Sequence, residues 1–158
     1  MTMVVIILSI QTALYPRTSI DNSRRVRQLA HNFQGSLTTL SGKRIVPNLP
    51  KVIGPWLAGT YDQDKSVSRA ATEALHKSFT TPEKRKSLWR LYGKELIEYI
   101  EDAATVQTPQ TLSDERSTSP DEAQAKYIRT VATALALLSA FMGRYRPIMS
   151  FEDLLKSS

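Results

Sequence analysis

The chain has 158 residues and is 41% hydrophobic, enough for one domain with a real core. It has no cysteine, which excludes disulfides and cysteine-ligated zinc and points to a reducing compartment, cytosolic or nuclear. Its net charge of +6 is uneven: residues 1–60 carry seven Lys/Arg against the single acid Asp21, whereas the remaining 98 balance at 14 basic and 14 acidic. A basic end of this kind can attract polyanions such as RNA by counterion release, although a solvated helix face has the same composition.

Val, Ile, Thr and the aromatics never alternate with period two, so the expectation is an all-α fold. Residues 1–14 (MTMVVIILSIQTAL) are too short to span a bilayer, which takes about 20 residues. No charge precedes Arg17, so the basic leader of a signal peptide is missing. The stretch reads as a core helix without its upstream neighbours. Its apolar face is then partly uncovered and offers a route to non-physiological self-association. A cleaved signal or an anchor is the competing reading.

Asp21 is expected to cap a helix whose buried face is Val26, Leu29, Ala30, Phe33 and Leu37, with Gly35 and Gly42 weakening its far end near Leu40. Pro50 suits the first turn of the next helix, and Pro55 should kink it. Asp62 and Asp64 close a turn and cap a helix over 65–79, buried through Val67, Ala70, Ala71, Ala74, Leu75 and Phe79. Thr81-Pro82-Glu83 opens another, with the stripe Leu88, Leu91, Leu96, Ile97 and Ile100. Residues 104–119 hold no apolar period and read as a long loop. Ser119-Pro120-Asp121-Glu122 is a capping box. It starts a helix running to about Gly143, with a broad apolar face through Ile128, Val131, Ala132, Leu135, Leu138 and Met142 that Ala134, Ala136 and Leu137 widen, so that burial on most sides is expected. One domain, 1–145, with a loose tail over 146–158, is the expected organisation.

Asp21, Val26 and Ala30 recur 41 residues later as Asp62, Val67 and Ala71. A period near 40–47 with paired helices points to HEAT or armadillo packing, here a short solenoid of about six helices. No phosphate loop, nucleophile elbow or H-E-x-x-H is present. His31 and His76 sit on separate helices with no carboxylate beside them in sequence. Asp62-x-Asp64 could bind a hard cation, but a helix cap explains it better. No catalytic residues and no cofactor are expected.

Three groups of residues resemble one family, the listerin-type E3 ubiquitin ligases, in their N-terminal domain. They are Asp21-Asn22-Ser23-Arg24-Arg25-Val26-Arg27; Pro55-Trp56-Leu57-Ala58-Gly59 with Asp62, Arg69-Ala70-Ala71 and Phe79; and Thr108-Pro109-x-Thr111-Leu112-Ser113-Asp114 trailed by Ala125-Lys126-Tyr127-Ile128-Arg129. The resemblance spans about residues 15–140. It implies a HEAT-like domain of a RING-type ligase of ribosome-associated quality control, acting in the cytoplasm. Such a domain docks on the large ribosomal subunit, through rRNA or ribosomal protein, and on the factor that senses the nascent chain and its peptidyl-tRNA. Zinc is expected only in the RING at the other end of the parent, since a RING needs eight Cys/His ligands. Arg24, Arg25 and Arg27 become candidates for contacts with RNA phosphates or acidic protein. Thr108, Pro109, Leu112, Ser113 and Asp114 become candidates for protein binding. An internal salt bridge for the arginines, and a self-bonded loop at Ser113-Asp114, compete with those roles. A HEAT scaffold or transport-receptor fragment, a lone RNA-binding module and a small hydrolase are the alternative functions.

Overall fold

The computed structural model describes residues 2–145 and residue 156. The tail expected over 146–158 lies, apart from residue 156, outside the described residues. The described chain is all-α: α1 (Met3–Thr18), α2 (Arg24–Ser41), a 3₁₀ segment (Gly42–Asn48), α3 (Leu49–Gly59), α4 (Lys65–Ser78), α5 (Pro82–Leu91), α6 (Gly93–Glu101), a π turn (Asp102–Val106), α7 (Pro109–Leu112) and α8 (Pro120–Tyr145). The arrangement is solenoid-like, with α1–α2 and α3–α4 as successive pairs and α2 running against α4.

The 41-residue repeat marks equivalent caps. The helix of the first copy is capped by Ser23, whose hydroxyl accepts from Val26 N, and that of the second by Asp64, which accepts from Ser66 N and Val67 N. Asp21 is therefore not the cap. It sits two residues earlier and accepts from Ser23 N at 2.8 Å, just as Asp62 accepts from Asp64 N at 2.9 Å. In both copies the aspartate shapes the turn that delivers the next residue to the cap position.

The core is centred on α3, which lies against α1, α4, α6 and α8. Its Val52, Ile53 and Trp56 are fully buried, and the Trp56 indole donates to the Ala71 carbonyl of α4 at 3.2 Å. That bond satisfies the one polar atom of the largest buried side chain. The face expected for α4 is the observed one, with Phe79 half-buried at its end.

Two other faces differ from expectation. On α2 the residues turned inward are Arg27, Ala30, His31, Gln34, Leu37 and Thr38, while Leu29 and Phe33 are about half exposed, at 48% and 49%. Polar atoms can take this place because they bond one another across the seam with α1. Gln11 donates to Gln34 at 3.2 Å, Gln34 donates to Thr38 at 3.2 Å, and Tyr15 Oη lies 2.7 Å from His31 Nδ1. A buried polar group is tolerated once it is hydrogen-bonded. Gly35 does not weaken the helix end but brings α2 and α4 together: a Cβ there would lie 2.6 Å from Ala74 Cβ. The helix ends one residue past the expected point, at Ser41, and Gly42 follows as its cap with φ +55°, where a side chain would be strained.

On α8 Ala134 and Leu137 of the expected face are buried, but Thr130 and Thr133 turn inward beside them, and Ile128, Leu135 and Met142 are exposed. The threonine hydroxyls bond carbonyls of their own helix, Thr130 to Lys126 O at 2.8 Å and Thr133 to Thr130 O at 3.0 Å. The helix packs along one side rather than being buried on most sides. Among the described residues it is the one helix long and apolar enough to cross a membrane by length and composition.

The single helix expected after Thr81 is broken at Tyr92 into α5 and α6, which leaves Leu91 exposed and Ile97 at the surface. Residues 104–119 are not a plain loop, since they hold the end of the π turn and the short helix α7. On α1, Leu8, Gln11, Thr12 and Tyr15 face inward, whereas Met3, Ile6, Ile10 and Leu14 are exposed, so its apolar face is partly uncovered.

Candidate functional site

Arg24, Arg25 and Arg27 share one helix start but not one environment. Arg27 is buried: Nε and Nη2 hold the Asp62 carboxylate at 2.9 and 3.3 Å, and Nη1 donates to Asp21 O at 2.8 Å and Asn22 O at 3.2 Å. It ties the α1–α2 turn to the α3–α4 turn, so its guanidinium is not available to a partner and its candidacy is withdrawn. Arg24 is exposed and lies 3.8 Å from the Asp64 carboxylate, a contact of little energetic weight at the surface. Arg25 is exposed and reaches Gln28 at 3.3 Å. Two of the three arginines thus stay open to solvent.

Arg129 of α8 repeats the pattern of Arg27, donating to Ile20 O at 2.9 Å and Asp21 O at 3.1 Å. His31 lies beside the Arg27–Asp62 pair, fully buried, and burial lowers its pKa to about 4 against a weaker upward pull from Asp62. It is therefore neutral at pH 7. The carboxylate absent from its sequence neighbourhood is supplied by the α3–α4 turn. His76 is at the surface.

The segment Thr108–Asp114 is held by its own bonds. Thr108 N donates to Thr111 Oγ1 at 2.8 Å, Thr111 N donates to Thr108 Oγ1 at 3.2 Å, and Pro109 occupies the first turn. Asp114 accepts from Arg116 N at 2.9 Å, while the Ser113 hydroxyl is buried with no hydrogen-bond partner among the described residues. The self-bonded loop reading thus applies to Asp114 and not to Ser113.

Leu112, Ser113 and Asp114 form one wall of an open groove of about 770 Å³. The opposite walls come from the end of α1, the start of α3 and the face of α6, with Pro16, Ile20, Pro55 and Tyr99 as the apolar part. Arg17, Lys51 and Lys126 bring positive charge to it, and Glu95, Glu98 and Asp102 line the α6 side. Burial lowers the Lys126 pKa, and Tyr99 is pushed up to about 12 by burial first and Asp102 second. Pro109 and Ser113 also line a neighbouring cleft of about 330 Å³. Arg24 and Arg25 line neither. Sequence reasoning missed Arg17, Lys51 and Lys126, because only the fold brings positions so far apart to one surface. Among the described residues no group of three His, Asp or Glu could hold a metal ion.

Residues 3–153 match the family described as E3 ubiquitin-protein ligase listerin, N-terminal domain. The chain belongs to that family. Listerin of Neurospora crassa is 40% identical over 132 residues, which is 84% of this chain and 8% of the relative. Listerin of Schizosaccharomyces pombe is 30% identical over 132 residues, again 84% of this chain and 8% of the relative, and that of Mus musculus is 28% identical over 129, 82% and 7%. The chain thus spans under a tenth of the length of these listerins, and it corresponds to an N-terminal module of an E3 ligase.

Proposed function

We propose that this chain is a non-catalytic docking module of a RING-type E3 ubiquitin ligase of cytoplasmic ribosome-associated quality control. It engages the large ribosomal subunit and the nascent-chain-sensing factor, so that stalled nascent chains are ubiquitinated by a RING elsewhere in the parent. The observation that supports this best is the Thr108–Asp114 segment, the most specific part of the resemblance. It is built as a capped element on the rim of a large groove. A capped helix start with proline in its first turn presents Leu112 and Asp114 at little entropic cost on binding. Arg24 and Arg25, exposed at the start of α2, supply charge for an anionic surface.

The test is cosedimentation of the purified chain with large and with small ribosomal subunits across a salt series. Saturable binding to large subunits alone, weakening as salt rises, is the expected result. Reversing both arginines, Arg24→Glu with Arg25→Glu, should weaken it at low salt by about fivefold or more while helical circular dichroism stays unchanged. Absence of binding at low salt would overturn ribosome docking and leave a protein-only scaffold. Unaltered binding by the double variant would remove the arginines from the contact.

A further inference from the structure

A separate cleft, of about 400 Å³, lies where the end of α3, the faces of α4 and α5 and the end of α8 meet. Its volume falls in the range of roughly 300–1,000 Å³ usual for small-ligand sites. Its lining carries Arg85, Lys86 and Arg144, with His76 beside them, and no carboxylate. Among the described residues none of the three cations is ion-paired. Two aromatic rings belong to the same cleft. The Arg144 guanidinium lies over the Trp89 ring, 4.1 Å from its centroid, and Tyr61 is 36% exposed. Arg144 is close enough to act on the Tyr61 hydroxyl, whose pKa is raised by burial and drawn down by that charge. Arg85 is fixed from behind, donating through Nη1 to Phe79 O at 2.7 Å.

We propose that this cleft binds single-stranded RNA, taking one backbone phosphate on Arg144, its neighbour on Lys86 and the adjoining base against Tyr61. Each part follows from the lining. A guanidinium laid on an indole is held in plane before the ligand arrives, so less side-chain freedom is lost in gripping a phosphate. Lys86 adds an exposed point charge that can follow the neighbouring phosphate. An acidic protein segment would use the cations but has no call on a half-exposed ring, whereas every base has a face to stack. A concave site of this size admits an unpaired nucleotide rather than a duplex ridge, and single strands are where proteins reach RNA bases. The positions 61, 86 and 144 are too far apart in sequence to form a basic–aromatic run, which is why no such motif is visible along the chain. Charge and ring placement alone define this site, independently of ribosome docking.

The test is fluorescence anisotropy of a labelled, unstructured RNA of about ten nucleotides, titrated with the whole chain at several salt concentrations. The expected result is salt-sensitive binding. The pair Lys86→Glu with Arg144→Glu should lose at least tenfold in affinity, and its salt slope should fall by about 1.4, two phosphates at roughly 0.7 each. Tyr61→Ala should lose about fivefold or more with the salt slope unchanged, because stacking releases no counterions. The pair Lys43→Glu with Arg44→Glu makes the same change in net charge on the exposed 3₁₀ segment, away from the cleft, and should stay within about twofold of the parent, the mark of a local site rather than bulk charge. Lys86 and Arg144 are exposed, so the fold should survive, and the milder Lys86→Gln with Arg144→Gln pair should give the same direction of loss.

Equal losses in the cleft pair and the Lys43/Arg44 pair would overturn the proposal, as would parental affinity in the cleft pair. An unaffected Tyr61→Ala, together with displacement of the RNA by polyglutamate at matched charge, would replace RNA with an acidic protein segment as the occupant. No ribosome enters this assay, so its failure leaves subunit docking to be judged by sedimentation.

Discussion

Arg27 and Asp62 place opposite charges in a core where aliphatic side chains could fill the same space, and both carry further bonds that satisfy them. Removing one partner of a buried pair leaves a charge without compensation, which costs about 3–5 kcal/mol. Arg27→Met should therefore lower unfolding free energy by about that amount in urea titration. Arg27→Met with Asp62→Leu should recover much of it, because a buried pair is often replaceable by packed apolar groups. A double variant no more stable than the single one would assign the loss to the capped carbonyls of Asp21 and Asn22 instead. His31, beside this pair, gives a pH dependence. Its folded pKa is about 4 against an ordinary 6.5, so below pH 6.5 the unfolded chain takes up a proton that the folded chain refuses. The contribution is fully present above pH 6.5 and is lost as pH falls toward 4, about 3 kcal/mol across that window. His31→Gln does not titrate there, so its stability should decline less from pH 6.5 to 4. Parallel curves for the two proteins would mean that the histidine is charged in the folded state.

At the scale of elements, α2 and α4 touch through Gly35 and Ala74. Gly35→Ala would gain up to about 1 kcal/mol in helix propensity. The new Cβ, however, would lie 2.6 Å from Ala74 Cβ and 2.9 Å from its Cα, and a backbone atom cannot swing aside. Overpacking of this kind costs about 1–3 kcal/mol, so Tm should fall by several degrees, read by thermal circular dichroism. A Tm equal to or above the parent's would show that the two helices can part without loss. The same pair of helices shows what the sequence made legible. The caps at Asp64, Thr81 and Ser119 were readable because a cap is a bond between residues two or three apart. The position and the buried face of α4 were readable because that face is apolar and periodic. The inward face of α2 was not, because it is polar and its partners lie far off in the chain. Gln34 meets Gln11, 23 residues away, and Arg27 meets Asp62, 35 away. A bonded polar seam leaves no hydrophobic period, so the period that remained, through Leu29 and Phe33, pointed to the exposed side.

Across the whole molecule, the end of α1, the start of α3, α6 and the first half of α8 close around the groove that Leu112, Ser113 and Asp114 wall. Of the candidate residues, only these three fall on that surface, together with Thr111 between them and the cap. Leu112 is half-buried, so its side chain gives the wall an apolar point. Asp114 is exposed and turns the chain toward Arg116. Neither side chain belongs to the core around α3, and the capping bonds of α7 run through Thr108 and Thr111 instead. Leu112→Ala with Asp114→Ala should therefore reduce binding to large subunits carrying the partner factor, about tenfold if Leu112 is an anchor worth about 1.4 kcal/mol. Binding to bare subunits and Tm should change little. The measurement is paired sedimentation with loaded and bare subunits, alongside a melting curve. A melting temperature lowered by many degrees, with equal losses on loaded and bare subunits, would assign these residues to the fold. A loss confined to loaded subunits at constant Tm would place the partner factor on the groove.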